Sequence, residues 1–198
     1  MSCASAGNCS AGGLYSDSSG HWQAFVVSQV NGTWGTAKEV PGTATLNADG
    51  AAETDSVSCA TAGNCSAGGS YDDSSSFYQA FVVSQVNGTW GSAKEVPGTA
   101  SNNGGNVGTA LPVSCGSAGN CSAGGSYTDS SSHQQAFVAS QVNGTWGNAK
   151  EVPGTAALNT GGDATIFGLS CASAGHCSAG GLYKDSSGHF QAFVVSQT

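Results

Sequence analysis

Four copies of one unit follow each other without insertion or deletion. Cys3, Cys59, Cys115 and Cys171 are spaced by 56 residues, and so are Cys9, Cys65, Cys121 and Cys177. A repeat this regular fixes the kind of fold available, because each unit is a supersecondary piece that buries its apolar surface against the next one. The units are 1–56, 57–112, 113–168 and a partial 169–198, together one repeat domain over 1–198. Slow divergence leaves gaps, so the unbroken register points to recent amplification or deliberate design.

Within the second unit the pattern predicts four short strands. The first is Val57-Ser58-Cys59, followed by a tight turn at Ala60 to Asn64, and the second runs from Cys65 to Tyr71. A polar turn at Asp73 to Ser76 leads into Gln79 to Val86, which is rich in aromatic and β-branched residues and apolar on both faces. Burial on both faces is expected of a sheet held between two other sheets. Asn87-Gly88 is the preferred two-residue hairpin turn, the fourth strand spans Thr89 to Val96, and Pro97-Gly98 ends it.

Crossing loops are expected at 43–56, 99–112 and 155–168. Four-stranded antiparallel units repeated without helices predict an all-β fold, a β-propeller of four near-identical blades. The last blade lacks its outer strand. Two arrangements satisfy the residues: a closed four-blade ring, or half of an eight-bladed ring that pairs with a second copy as a homodimer. A β-solenoid is a weaker alternative, because Asn-Gly hairpins favour antiparallel meanders.

Composition limits the partners. The chain has a net charge of −8, four Lys and no Arg, so it lacks the basic footprint that nucleic-acid binding requires. It has no apolar run long enough to span a membrane. Large core side chains are few, which makes cross-links useful. One disulfide within each blade, Cys3–Cys9, Cys59–Cys65, Cys115–Cys121 and Cys171–Cys177, fits the spacing across a tight hairpin and an oxidising compartment. Five intervening residues do not suit zinc. Met1 runs straight into Ser2-Cys3-Ala4, so no signal peptide is expected in this sequence.

The stretch Ser2-Cys3-Ala4-Ser5-Ala6-Gly7-Asn8-Cys9-Ser10-Ala11-Gly12-Gly13, with Gln23-Ala24-Phe25-Val26 after the turn, resembles repeats in large secreted proteins of actinobacteria. The resemblance covers the whole chain. It implies a propeller-like fold and an extracellular location for natural relatives, and it brings no catalytic residues with it. The near-identity of the copies is also similar to designed symmetric propellers.

Single residues give weak functional signals. Asp17, Asp73, Asp129 and Asp185 open the turn between the second and third strands, where an aspartate that caps its own loop is expected. Asp17-Ser18-Ser19-Gly20-His21-Trp22 resembles the Asp-box of sialidase-type propellers, but with two residues between Asp and Gly, and the chain has no arginine to hold a substrate carboxylate. Glu39, Glu95 and Glu151, each after a lysine, predict a solvated outer rim. Trp34, Trp90 and Trp146 are expected to pack over neighbouring blades. Asn31, Asn87 and Asn143 head glycosylation sequons better explained as hairpin turns.

The copies differ mainly at His21-Trp22, Phe77-Tyr78, His133-Gln134 and His189-Phe190, and in the crossings. In a meander these two connections share one face, so these eight residues form the candidate ligand-binding face. Amphipathic aromatics there suit a glycan or an extracellular protein. The expectation is a non-enzymatic symmetric scaffold with no metal and no cofactor. A carbohydrate-binding lectin is the alternative. A glycoside hydrolase is third, with Asp49, Glu53, Asp55 and Asp163 as the acids that break the symmetry.

Overall fold

A computed structural model describes residues 1–99 and 111–197. The first blade comprises β1 (Ser2–Ser5), β2 (Asn8–Ser16) and β3 (Trp22–Val30), with an outer strand in two pieces, β4 (Thr33–Trp34) and β5 (Lys38–Glu39). After a single helical turn, α1 (Thr43–Leu46), the second blade follows as β6 (Ala52–Thr61), β7 (Asn64–Asp72), β8 (Tyr78–Val86), β9 (Thr89–Trp90) and β10 (Lys94–Glu95). The third is β11 (Val113–Ser117), β12 (Asn120–Thr128), β13 (Gln134–Val142), β14 (Thr145–Trp146) and β15 (Lys150–Glu151). A second turn of helix, α2 (Thr155–Leu158), leads to β16 (Ala164–Ser173), β17 (His176–Lys184) and β18 (Phe190–Gln197). Every pairing within a blade is antiparallel, and the fourth sheet has three strands.

Local chemistry sets these elements. Asn31-Gly32, Asn87-Gly88 and Asn143-Gly144 all take positive φ, as the predicted hairpin turn demands. All four cysteine pairs are disulfide-bonded, and Cys3 lies directly opposite Cys9 in the register, as Cys59 does Cys65.

The structure corrects three expectations. The fourth strand is not continuous: Trp90 faces Gln85 while Lys94 faces Val82, so the outer strand carries one extra residue. That bulge lets the Ala93 amide bond the Pro41 carbonyl of the preceding blade at 2.6 Å. The crossings 43–56 and 155–168 are not simple loops. Gly42 at φ 90 redirects the chain, Thr43 Oγ1 donates to the Val40 carbonyl at 2.7 Å, and the first strand begins at Ala52, well before Val57. The crossing 99–112 lies outside the described residues except at its ends.

The second and third blades each turn one face to the blade before and the other to the blade after. Ala24 and Val26 of β3 pack with Ala67, Tyr71, Phe81 and Val83 of the second blade, and β8 is buried on both faces, as predicted. Backbones approach closely here. A Cβ on Gly12 would lie 2.4 Å from Thr54 Cγ2, and one on Gly68 would lie 2.7 Å from Val113 Cγ2, so only glycine fits. Serines bridge the blades: Ser2, Ser58 and Ser114 Oγ accept the amides of Cys59, Cys115 and Cys171 at 2.9–3.0 Å. A disulfide sulfur has no proton to donate, so the Ser66 hydroxyl donates to Cys121 Sγ, 3.3 Å away.

The outward faces of the first and fourth blades are open. Val26 and Val82 are 1% exposed, whereas Val194, at the same repeat position, is 82% exposed. On the other end, Tyr15 is 38% exposed where Tyr71 is 3%. The first and fourth blades therefore do not bury each other's outward faces.

Candidate functional site

The turn between the second and third strands is built by its aspartate. Asp17 Oδ1 accepts the amides of Ser19 at 2.8 Å and His21 at 3.0 Å, and Oδ2 accepts Gln23 Nε2 at 2.9 Å. Asp73 with Gln79, Asp129 with Gln135 and Asp185 with Gln191 repeat the arrangement. These are the capping aspartates expected from the sequence.

The hydrogen bonds these carboxylates accept favour the charged form. The Gln23 amide and two backbone amides hold Asp17 below the usual carboxylate range, and the His189 amide leads the same effect at Asp185. At Asp73 and Asp129 desolvation pulls upward, and the three bonds outweigh it.

The crossing is fastened to this turn by a residue that sequence reasoning missed. Asn47 Nδ2 donates to the Trp22 carbonyl at 3.1 Å and to Gln23 Oε1 at 3.0 Å, while its Oδ1 accepts the Ala51 amide at 2.8 Å. Asn159 does the same with Gln134, Gln135 and Asp163. Recurrence of asparagine at 47, 103 and 159 was the available signal. The Trp22 amide donates to the Gly50 carbonyl at 2.8 Å and that of Gln134 to Gly162 at 3.0 Å, so the varied turns and crossings do share a face.

The eight candidate residues occupy this face. His21, Trp22, Phe77, Tyr78, His133, His189 and Phe190 are exposed and Gln134 is half-buried. Two histidines have a packing role besides. A Cβ on Gly50 would lie 2.6 Å from the His21 ring, and one on Gly162 the same distance from that of His133. His21 Nδ1 is 3.9 Å from Asp17 Oδ2. Among the described residues no cluster of three His, Cys, Asp or Glu side chains could hold a metal.

Of the symmetry-breaking acids, Glu53 and Asp55 lie side by side and share a side-chain hydrogen bond. Asp49 bonds Ser76 Oγ, and Asp163 lies in the third crossing. Asp55, at a bulge in β6, accepts the Leu111 amide at 3.1 Å. Its outer surface is exposed, yet crowding by the third blade and the Glu53 charge both act to raise its carboxyl above the ordinary range.

The outer rim differs from expectation. Lys38, Lys94 and Lys150 are exposed, but Glu39, Glu95 and Glu151 turn partly inward. The Tyr15 hydroxyl donates to Glu39 at 3.4 Å and that of Tyr71 to Glu95 at 3.5 Å. Burial and the neighbouring glutamate push the Tyr71 hydroxyl well up. The tyrosine lies in the strand pattern and the glutamate far along the chain, so only the blade's register joins them. Trp90 and Trp146 pack against the interblade cores, as expected, whereas Trp34, with no blade before it, is exposed.

Fold and site together define an all-β repeat protein of the propeller class, with a loop face made of capped turns and stapled crossings. No known family matches the chain, and no curated protein matches it. Among solved structures it is similar to a subtype N11 neuraminidase-like protein of A/flat-faced bat/Peru/033/2010 (H18N11), with 15% identity and a TM-score of 0.39. That overlap covers 86% of this chain and 43% of the other, so the chain spans less than half the length of that protein.

Proposed function

We propose that the chain is a non-enzymatic scaffold that presents its loop face to an extracellular ligand. The observation that carries this reading is how the acids on that face are used. Each turn aspartate accepts three hydrogen bonds and is held ionised, which suits a structural cap and opposes proton donation to a leaving group. The exposed side chains beside these caps are rings: Trp22 at 50%, Phe77 at 41% and Phe190 at 56%. Such rings favour a carbohydrate-binding lectin as the second reading.

A glycan array, run beside a panel of chromogenic glycosides, tests both. Binding lost on Trp22→Ala with Tyr78→Ala, and no turnover, is the expected result. Turnover abolished by Asp49→Ala or Asp55→Ala would refute the scaffold reading.

We also infer that two chains join to complete an eight-bladed ring. In support, the open face of the fourth blade repeats a surface that inside the chain receives a following blade, and the first blade's exposed Tyr15 and Trp34 repeat the receiving side. The likeness to secreted actinobacterial repeats and the four disulfides support an extracellular setting.

A further inference from the structure

We propose that the outer end of the seam between the first and second blades binds a uronic-acid unit of a polysaccharide, with the Lys38 ammonium holding its carboxylate. Both walls of this site come from residues of the first two units, and it shares none of the eight residues of the loop face.

A cavity of about 480 Å³ opens where the outer strand of the first blade meets the hairpin of the second. That is the size of a small-molecule site. Val26 and Pro41 on one side and Trp90 on the other give it apolar walls, with Thr36, Lys38 and Thr89 among them. The walls are held in place before any ligand arrives. Trp90 Nε1 donates to Ser28 Oγ across the seam at 3.3 Å, and the Ala93 amide donates to the Pro41 carbonyl at 2.6 Å. A wall fixed in this way loses little freedom on binding.

The polar groups of the cavity are uncommitted. Among the described residues the Lys38 ammonium forms no ion pair, and the hydroxyls of Thr36 and Thr89 make no hydrogen bond. Glu39 follows Lys38 along the strand and so points to the opposite face, where the Tyr15 hydroxyl donates to it at 3.4 Å. No acid lines the cavity. Lys38, Lys94 and Lys150 share one repeat position, so three of the four positive side chains of a chain with net charge −8 stand at this place in a blade.

One uncompensated cation, two free hydroxyls and an aromatic wall match a uronic-acid ring, which carries one carboxylate, several hydroxyls and an apolar C–H face. A neutral sugar leaves the ammonium without its counter-charge, and a small carboxylate such as acetate leaves the indole uncovered. A phosphate polyanion is poorly served, because the site has a single point charge and no guanidinium fork. The second seam carries the same set in Ser84, Ser92, Lys94, Pro97, Thr145 and Trp146. There Trp146 Nε1 is buried with no hydrogen-bond partner, a donor available to a ligand oxygen. Repeated seams suit a polymer with a repeated acidic unit.

The test titrates the full chain with a trisaccharide of galacturonic acid by calorimetry and follows the tryptophan indole N–H signals by NMR. We expect saturable binding that weakens as salt rises, with the Trp90 and Trp146 signals moving and that of Trp22 still. The fully methyl-esterified trisaccharide, which keeps the sugar and loses the charge, should bind at least about tenfold more weakly, and so should the acid form to a chain with Lys38→Ala and Lys94→Ala. Both lysines are exposed, so these changes leave the fold intact. Trp22→Ala with Tyr78→Ala should leave this binding unchanged, which separates it from any ligand of the loop face. No binding at about 10 mM trisaccharide overturns the proposal. Equal affinity for the ester, full affinity in the lysine double variant, competition by acetate at the same concentration, or movement of the Trp22 signal instead would each do the same.

Discussion

Position 20 of the repeat shows how one backbone angle separates the copies. Gly20 and Gly188 close the turn at positive φ, and Ser76 and Ser132 hold the same region at φ 59 and 64. An L side chain there is strained by roughly 1 kcal/mol. Ser132→Gly should therefore raise stability by about 1 kcal/mol, a gain of about 2–4 °C in the melting temperature by calorimetry. The turn aspartates set the acid limit. Their folded pKa values lie below the ordinary aspartate value of 3.8, so their contribution is complete above that pH and is lost as pH falls through the folded values. The melting temperature should decline below about pH 4, and Asp129→Asn should flatten that decline. The capping role of these aspartates was legible in the sequence because Asx-turns are local chemistry. The roles of Asn47 and Glu95 were not, since each acts on residues far away in the chain that only the folded blade brings near.

At the scale of elements, strand order and hairpin turns followed from Asn-Gly pairs and apolar runs, which are short-range signals. The interrupted outer strand did not, because its bulge answers to the Pro41 carbonyl of another blade. The early start of the first strand at Ala52 and the helical turn at Thr43 were missed for the same reason: Ala52 and Thr43 are buried by tertiary packing. Glycine in the second strand gives a direct test of blade contact. Gly68→Ala drives a methyl into Val113 and Leu111 and should cost about 1–3 kcal/mol in denaturant unfolding. At Gly180, the equivalent place in the fourth blade, a Cβ meets nothing closer than 3.8 Å, so Gly180→Ala should be neutral or slightly stabilising. Equal losses at the two positions would contradict an open fourth blade.

For the whole molecule, the proposed pairing of the two uncovered faces predicts a dimer. Light scattering should give about twice the 19.3 kDa chain mass, and Val194→Asp should return the protein to a single chain by placing a charge in the new contact. A wild-type mass near 19.3 kDa would argue against the paired ring. By itself the sequence determined the repeat, the strand sense, the turn chemistry and the cysteine partners, because each is fixed by residues within one unit. Only the tertiary structure decided which faces are covered and where the outer strand breaks. Those features depend on what a neighbouring blade does, and identical units cannot encode whether a neighbour is there.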